Sequence, residues 1–368
     1  MIEEYRSRMD ALRALLGDGV DAIAIVPGAN MVYFTGLHFH LSERPIIALI
    51  HADGFAIIVP QLETLKLTER PDLDAVAFAW GDSEGYMGAF ERALNELDLR
   101  GKTLGVDGMT MRVSEWLTLQ RLDSTLRIKP VERELVRIRS RKTPAELNAM
   151  RRAIQISEEA LAALTRELKP GMTEKMIAAR LEEKMMALGA EGLAFGTLVQ
   201  SGPNSANPHG MTSSRELRAE EFLIIDFGAT YDSYPADITR TFCIGQPSAE
   251  MQVIYDTVLR ANQAATAAAR PGVTMGAVDE AARTVIEAAG YGQYFIHRTG
   301  HGLGLDGHEP IPQIASGVED VLEVGMAFTI EPGIYIPGMG GVRIEDNVVV
   351  TENGHEVLTH YPYGMILE

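Results

Sequence analysis

Short apolar runs alternate with segments of helical periodicity in the first third of the chain. The apolar runs have the length of β-strands and lie at residues 22–26, 45–50, 55–59, 75–79 and 103–106. Apolar side chains recur every three or four residues at about 2–16, 84–98 and 112–122, which predicts amphipathic helices. Such alternation is typical of a layered α/β domain, which we predict over residues 1–130.

From residue 131 onward the predicted helices are longer and begin with recognisable caps. Thr143 and Glu146 form a capping box around a proline at the first helical position, and a Pro-Gly pair ends this helix. A second helix begins after Thr173 and stops at Gly189. This change of pattern, in a chain too long for one hydrophobic core, predicts a separate C-terminal domain over residues 131–368.

A similar unit recurs about a hundred residues later in the chain. The helix junction Lys-Pro-Gly-Met-Thr at 169–173 resembles Arg-Pro-Gly-Val-Thr at 270–274. After each helix pair comes a strand that ends on an acid, and then a return strand, predicted at 237–242 and at 342–350. We interpret the pattern as an internal duplication of a helix-helix-hairpin unit. The alternative is chance recurrence of a common Pro-Gly-x-Thr junction, and the matching acids argue against it.

The composition limits the classes of binding partner and the cellular location that we expect. A formal net charge of −18 repels phosphate backbones and anionic bilayers, so we expect neither nucleic acid nor membrane as a partner. Cys243 is the single cysteine, and the charged first residues contain no apolar signal core. The most apolar stretch, 46–60, contains His51 and Asp53 and is too short to span a bilayer. We therefore expect a cytoplasmic protein.

Four carboxylates lie in apolar strands of the C-terminal half, where a buried charge needs a compensating partner. Asp226 and Glu331 end the two outgoing strands, and Asp237 and Glu345 lie on the two return strands. Strand alternation places Arg343 on the same face as Glu345. Because four inward carboxylates repel one another strongly without a cation, the pattern indicates a metal site.

Three histidines accompany these acids. His301 lies in the glycine-rich segment Gly-His-Gly-Leu-Gly, His308 follows seven residues later, and His209 lies upstream after a proline. Four carboxylates and one imidazole suit hard or borderline cations, so Mn²⁺, Co²⁺, Fe²⁺ and Zn²⁺ are all compatible. Carboxylates able to bridge suggest two ions, the arrangement that activates a shared hydroxide.

These motifs together resemble the pita-bread metallopeptidases, peptidase family M24. The resemblance rests on Asp-Phe-Gly-Ala at 226–229, Asp-Ile-Thr-Arg-Thr-Phe at 237–242, Gly-His-Gly-Leu-Gly at 300–304 with His-Glu-Pro at 308–310, Glu-Pro-Gly at 331–333 and Arg-Ile-Glu-Asp at 343–346. Within the family the chain is similar to the Xaa-Pro branch, prolidase (Xaa-Pro dipeptidase) and aminopeptidase P. The resemblance implies an α+β fold: a duplicated pita-bread (creatinase/aminopeptidase) domain preceded by a smaller creatinase-like N-terminal α/β domain.

The resemblance also implies how the metal ligands divide their work. Asp226 is expected to chelate one ion, His301 and Glu331 to bind the other, and Asp237 and Glu345 to bridge the two. Glu331 is also the expected proton shuttle, from the attacking water to the leaving nitrogen. Two divalent ions are therefore expected, with Mn²⁺ as the first choice and Co²⁺, Zn²⁺ or Fe²⁺ as alternatives.

Further catalytic and substrate-binding roles follow from the same resemblance. His209 is expected near the N-terminal side of the substrate, and His308 is expected to stabilise the tetrahedral intermediate or position the proline. Arg343 is expected to orient a bridging carboxylate. In related dimers a loop of the N-terminal domain reaches the other subunit's site, so His38 or His40 is a candidate there. A homodimer is expected from resemblance only.

The implied activity is hydrolysis of the Xaa-Pro bond of small proline-containing dipeptides by a metal-bridging hydroxide. This bond is a tertiary amide without an N–H, so an acid must protonate the proline nitrogen as it leaves. A dipeptide also has a free carboxylate beside the proline, for which Arg298 is the candidate partner. The alternative is aminopeptidase P, which acts on longer peptides. A metal-free creatinase-like hydrolase or a non-catalytic binding protein would lack some of the five ligands, all of which are present.

Overall fold

The chain divides into two units, Met1–Arg139 and Ser140–Glu368, in a computed structural model that describes residues 2–367. The helix Glu132–Ser140 belongs almost entirely to the first unit. The domain boundary expected between residues 130 and 131 stays a prediction. No helix among the described residues is both long enough and apolar enough to cross a membrane.

The N-terminal unit is built on a six-stranded mixed sheet with the order β4-β3-β2-β1-β5-β6. Strands β1 to β3 pair antiparallel, and the remaining pairs are parallel. The helices are α1 Ile2–Arg13, α2 Ala29–Thr35, α3 Met87–Glu96, α4 Val113–Leu122 and α5 Glu132–Ser140. The strands are β1 Ala22–Ile25, β2 Ile47–His51, β3 Gly54–Pro60, β4 Val76–Trp80, β5 Thr103–Val106 and β6 Arg127–Pro130.

The five strands and three helices that the sequence predicts in this unit are present, with shifts of a few residues at their ends. Strand β6 was missed because all four of its residues are exposed, so it has no apolar run. Helix α2 was missed because it spans seven residues, too few to show a clear helical period.

The C-terminal unit packs two helix pairs against antiparallel hairpins. Its helices are α6 Pro144–Thr165, α7 Glu174–Ala187, α8 Ala249–Ala268 and α9 Met275–Ala288. Its strands are β7 Gly192–Leu193, β8 Leu198–Ser201, β9 Leu223–Phe227, β10 Ala229–Tyr231, β11 Tyr234–Pro235, β12 Ile238–Ile244, β13 Gly300–Gly302, β14 Glu309–Ile314, β15 Ala327–Ile330, β16 Gly333–Ile336, β17 Gly340–Arg343, β18 Asp346–Thr351, β19 Gly354–Val357 and β20 Ile366–Leu367. The main sheets have the orders β20-β12-β9-β8 and β14-β13-β15-β18-β19.

The internal duplication is confirmed down to individual hydrogen bonds. The N–H of Gly171 donates to the carbonyl of Leu217, and the N–H of Gly272 donates to that of Leu322, both at 2.9 Å. Both glycines have positive φ, +89° and +80°, a region that glycine adopts without strain. The threonine two residues after each glycine accepts a backbone N–H and caps the next helix.

Each half buries its own apolar core beneath its hairpin. Helices α6 and α7 share one apolar cluster with strands β9 and β12, to which α7 contributes Ile177 and Leu181. Helices α8 and α9 share the other apolar cluster with strands β15 and β18, to which α9 contributes Val278 and Ala282. The hairpins therefore rest on packed helices, which makes them rigid supports for a site.

The return strand predicted at 342–350 is wrong in one respect, because it is broken between β17 and β18 at Ile344 and Glu345. The two carbonyls at the break accept hydrogen bonds from side chains, Asn262 for Ile344 and Arg240 for Glu345. Arg240 is itself buried and pairs with Asp346 at 2.8 Å. These buried donors replace the ladder bonds that a continuous strand would make.

Candidate metal centre

The first two acids lie on the hairpin of β9 and β12. Asp226 is the fourth residue of β9, and Asp237 directly precedes β12. The backbone N–H of Asp237 donates to the amide oxygen of Asn347, whose amide nitrogen donates to the carbonyl of Asp237. This reciprocal pair fixes the start of the return strand from the opposite half of the unit.

The other two acids lie at the corresponding places of the second half. Glu331 directly follows β15, and its backbone N–H donates to the carbonyl of Thr299 at 2.7 Å. Glu345 lies at the break before β18 and is buried. Its carboxylate accepts the hydroxyl of Thr239 at 2.7 Å, and its backbone N–H donates to the carbonyl of Thr239 at 3.1 Å. The two hairpins are thus joined directly beside their acids.

His301 lies in β13 and is buried beside the acids. Its Nδ1 is 3.0 Å from the carbonyl oxygen of Gly302, which can only accept, so Nδ1 carries the hydrogen. Its Nε2 then presents a lone pair, 3.4 Å from Glu331 Oε1 and 3.6 Å from Asp237 Oδ2. Burial, with the nearby His308, lowers the pKa of His301 to about 3, so the ring is neutral, as a metal ligand must be.

The structure brings all five predicted ligands into overlapping groups whose donor atoms lie within 4.8 Å of one another. Among the described residues these groups are Asp226 with Asp237 and Glu345, His301 with Glu331 and Glu345, and Asp237 with His301 and His308. His308 is the additional member, and its ring stacks on that of His301 with centroids 3.8 Å apart.

The electrostatics of this cluster fit a cation. Burial raises the pKa values of Asp237 and Glu345 well above their usual range, and the negative charge of the neighbouring carboxylates raises them further. Burial also raises the pKa of Glu331 to about 7. Oδ1 of Asp226 is buried and has no hydrogen-bond partner among residues 2–367. A divalent cation would reverse each of these penalties, because it favours the ionised carboxylates and coordinates the unpaired oxygen.

Arg343 binds the second carboxylate oxygen of Asp226, Oδ2. Its Nη2 donates to Oδ2 of Asp226 at 2.5 Å, and its Nε donates to the hydroxyl of Thr239 at 3.1 Å. We expected Arg343 to orient a bridging carboxylate, Asp237 or Glu345. The structure corrects this expectation, because the carboxylate that Arg343 contacts is that of Asp226. The reason is that the hydroxyl of Thr239 stands between Arg343 and the bridging candidate Glu345. Arg343 leaves Oδ1 of Asp226 available for a ligand bond.

Tyr335 is a site residue that sequence reasoning missed. The Nδ1 of His297 donates to the carbonyl of Arg298 at 2.7 Å, so its Nε2 accepts the Tyr335 hydroxyl at 2.9 Å. The same hydroxyl accepts Nη1 of Arg343 at 3.0 Å. Burial raises the pKa of Tyr335 to about 12, which keeps the hydroxyl protonated. Gly333 leaves room for this hydroxyl, because a Cβ there would lie 2.5 Å from the tyrosine oxygen.

The cluster lines a cavity of about 480 Å³. His209, Arg298 and His308 line it together with the predicted metal ligands. An apolar wall completes the lining, formed by Phe195, Leu198 and Pro208. His38 is exposed in the N-terminal unit, and its predicted role in a partner's site stays a prediction.

A buried carboxylate anchors the segment that carries His209. Glu174, at the start of α7, accepts the backbone N–H and hydroxyl of Ser201 at 2.7 and 2.8 Å. It also accepts the amide of Asn204 at 2.9 Å and both the N–H and hydroxyl of Ser213. The segment between β8 and β9 is therefore held at both ends of its histidine-bearing loop.

Two family descriptions match this chain. Residues 148–352 match metallopeptidase family M24, and residues 8–141 match the creatinase/prolidase N-terminal domain. The chain belongs to metallopeptidase family M24. The resemblance drawn from the five motifs is thereby confirmed, as is the α+β fold with a creatinase-like N-terminal domain. Members of the family use divalent metal ions, for which the groups above are candidate ligands.

Three solved structures of peptidases superpose on nearly the whole chain. A dipeptidase from Mycobacterium ulcerans matches with a TM-score of 0.92 and 36% identity, covering 99% of this chain and 98% of that one. A prolidase from Thermococcus sibiricus matches with a TM-score of 0.92 and 34% identity, covering 98% of both chains. An X-Pro aminopeptidase from Thermotoga maritima matches with a TM-score of 0.84 and 34% identity, covering 98% of this chain and 99% of that one.

The repulsion among the acids predicts a gain in stability when one is neutralised. We expect Asp237→Asn to raise the thermal midpoint in EDTA by about 2–4 °C, because one buried charge is removed. Added Mn²⁺ is expected to raise the midpoint of the wild type but not that of the variant. Differential scanning fluorimetry with and without Mn²⁺ measures both effects.

Asp82→Asn is the matched control, since Asp82 is an exposed partner of Arg44 and is expected to change neither midpoint. An Asp237→Asn protein that is less stable than the wild type in EDTA would contradict this electrostatic account.

Proposed function

We propose that this M24 enzyme is a metal-dependent dipeptidase that hydrolyses the Xaa-Pro bond of dipeptides, a prolidase. The observation that carries the proposal is one cavity lined both by converging metal-ligand candidates and by the cation Arg298. The likeness to a dipeptidase and a prolidase over nearly the whole chain supports it.

The proposed metal site uses the five predicted ligands, Asp226, Asp237, His301, Glu331 and Glu345. Two divalent ions bound there would polarise the scissile carbonyl and supply a hydroxide nucleophile. Mn²⁺ is the proposed ion, and Co²⁺, Fe²⁺ and Zn²⁺ are compatible with the same donors.

Glu331 is proposed to move the proton. The nitrogen of an Xaa-Pro bond has no hydrogen, so it must gain a proton as the bond breaks. The carboxylate of Glu331 lies on the cavity wall, with Oε1 3.4 Å from Nε2 of His301. It takes a proton from the attacking water and delivers it to the proline nitrogen.

The remaining cavity residues are proposed to bind and orient the peptide. His308, stacked on His301, donates to the carbonyl oxygen of the scissile bond as negative charge develops there. His209 contacts the N-terminal side of the substrate, and Arg343 keeps Asp226 in orientation. Arg298 pairs with the carboxylate of the proline, and this pairing distinguishes a dipeptide from a longer chain.

Aminopeptidase P is the second candidate, because the X-Pro aminopeptidase from Thermotoga maritima also matches this chain. Arg298 in the cavity favours the dipeptidase, since a longer peptide carries no carboxylate at that position. We also propose a cytoplasmic location, supported by the single cysteine, and a homodimer, supported by the family resemblance.

A panel of three peptides tests the proposed activity. The Mn²⁺-loaded protein is expected to release alanine from Ala-Pro, to leave Ala-Ala largely intact, and to stop when EDTA is added. Free alanine is quantified by chromatography. Cleavage of Ala-Pro-Ala at the same rate as Ala-Pro would replace the dipeptidase with an aminopeptidase P, and EDTA-resistant cleavage would contradict the metal mechanism.

The proposed role of Arg298 can be tested with two substrates, Ala-Pro and Ala-Pro amide, of which the amide is the control. Arg298→Ala is expected to raise the KM for Ala-Pro roughly 10- to 100-fold, the strength of one charge-assisted hydrogen bond. The KM for Ala-Pro amide, which lacks the carboxylate, is expected to stay that of the wild type. Steady-state kinetics on both substrates decide the matter, and an equal loss on the two would show that Arg298 does not recognise the carboxylate.

A further inference from the structure

Arg298 and His301 lie on one short segment, residues 295–301, that follows helix α9. Arg298 and His301 both line the cavity, together with the candidate metal ligands. The direction in which the segment presents the guanidinium of Arg298 therefore decides what it can reach.

An ion pair on α9 faces this segment. Asp279 and Arg283 are one helical turn apart, and their side chains pair at 2.9 Å between Nε and Oδ2. Asp279 is fully buried, whereas the side chain of Arg283 is 21% exposed. A buried carboxylate needs several donors to offset its desolvation, and here those donors come from Arg283 and from the segment.

The pair contacts the segment at alternate residues. Oδ1 of Asp279 accepts the backbone N–H of Thr299 at 3.0 Å and the hydroxyl of Thr299 at 2.8 Å. Arg283 donates to the carbonyl of Phe295 at 3.2 Å and to that of His297 at 3.0 Å, and its guanidinium stacks 4.2 Å above the Phe295 ring. Residues 295, 297 and 299 are thus bound to the helix, and the last two directly flank Arg298.

We propose that the Asp279–Arg283 pair is a positioning element for specificity: it holds the segment so that Arg298 presents its guanidinium to the substrate carboxylate. The inference rests on the proposed function, since it assigns a purpose to the segment that carries Arg298. Arg283 is a positioning residue and contacts no substrate.

The first half of the unit supports this reading independently. There the second helix, α7, uses the buried carboxylate of Glu174 to anchor the loop that carries His209. Both halves therefore anchor a substrate-side loop with a buried acid on the corresponding helix. The residues differ, because the position equivalent to Glu174 in the second half is Met275 and the anchor there comes one turn later.

Arg283→Gln tests the proposal, and Arg180→Gln is its matched control. Arg180 lies on α7, pairs with Glu167 at the surface, and contacts no site segment in the described chain. We expect Arg283→Gln to raise the KM for Ala-Pro about tenfold with kcat within about twofold of wild type. The KM for Ala-Pro amide and the Mn²⁺ affinity, measured by calorimetry, are expected to stay unchanged.

A double variant and an exchange measurement separate positioning from general damage. Because Arg283 acts through Arg298, adding Arg283→Gln to Arg298→Ala is expected to raise KM no further. Hydrogen exchange of the Mn²⁺-loaded protein without substrate is expected to speed up at residues 295–300 in Arg283→Gln and to stay unchanged in Arg180→Gln.

Wild-type exchange at residues 295–300 in Arg283→Gln would overturn the proposal, and so would additive losses in the double variant. Failure of the wild type to cleave Ala-Pro would instead overturn the proposed function. The exchange measurement would still decide in that case whether the ion pair holds the segment.

Discussion

Mutual repulsion among buried carboxylates is the constraint on which the catalytic unit depends. Burial raises the pKa values of Asp237, Glu331 and Glu345, and the charge of neighbouring carboxylates, Asp226 among them in each case, raises them further. Packing must hold them together until a cation is bound. The buried pair of Arg240 and Asp346 does part of this, since it ties the strand after Asp237 to the strand after Glu345.

The duplicated architecture explains how the site is assembled from distant parts of the sequence. Each half supplies a hairpin with one acid on the outgoing side and one at the return strand, resting on its own helix pair. Direct bonds between Thr239 and Glu345, and between Asp237 and Asn347, then join the two halves at the cavity. The cost of burying the acids is shared between two rigid supports rather than placed on flexible loops.

Much of the fold, and the acids and histidine that the structure groups together, could be predicted because their signals are local. The caps at Thr143, Thr173 and Thr274 lie within one turn of the helices they start, and the acids interrupt apolar runs. The position of Tyr335 could not be predicted, because its hydroxyl joins His297, 38 residues away, to Arg343. The break before β18 was hidden for the same reason, since its donors come from distant elements.

We propose that the converging side chains hold two divalent ions. The most direct measurement is anomalous diffraction from a crystal of the protein soaked in Mn²⁺, with data collected above the manganese absorption edge. The account predicts two anomalous peaks in the cavity, both flanked by the carboxylates of Asp237 and Glu345. A cavity with no peak, while the four acids remain together, would contradict it.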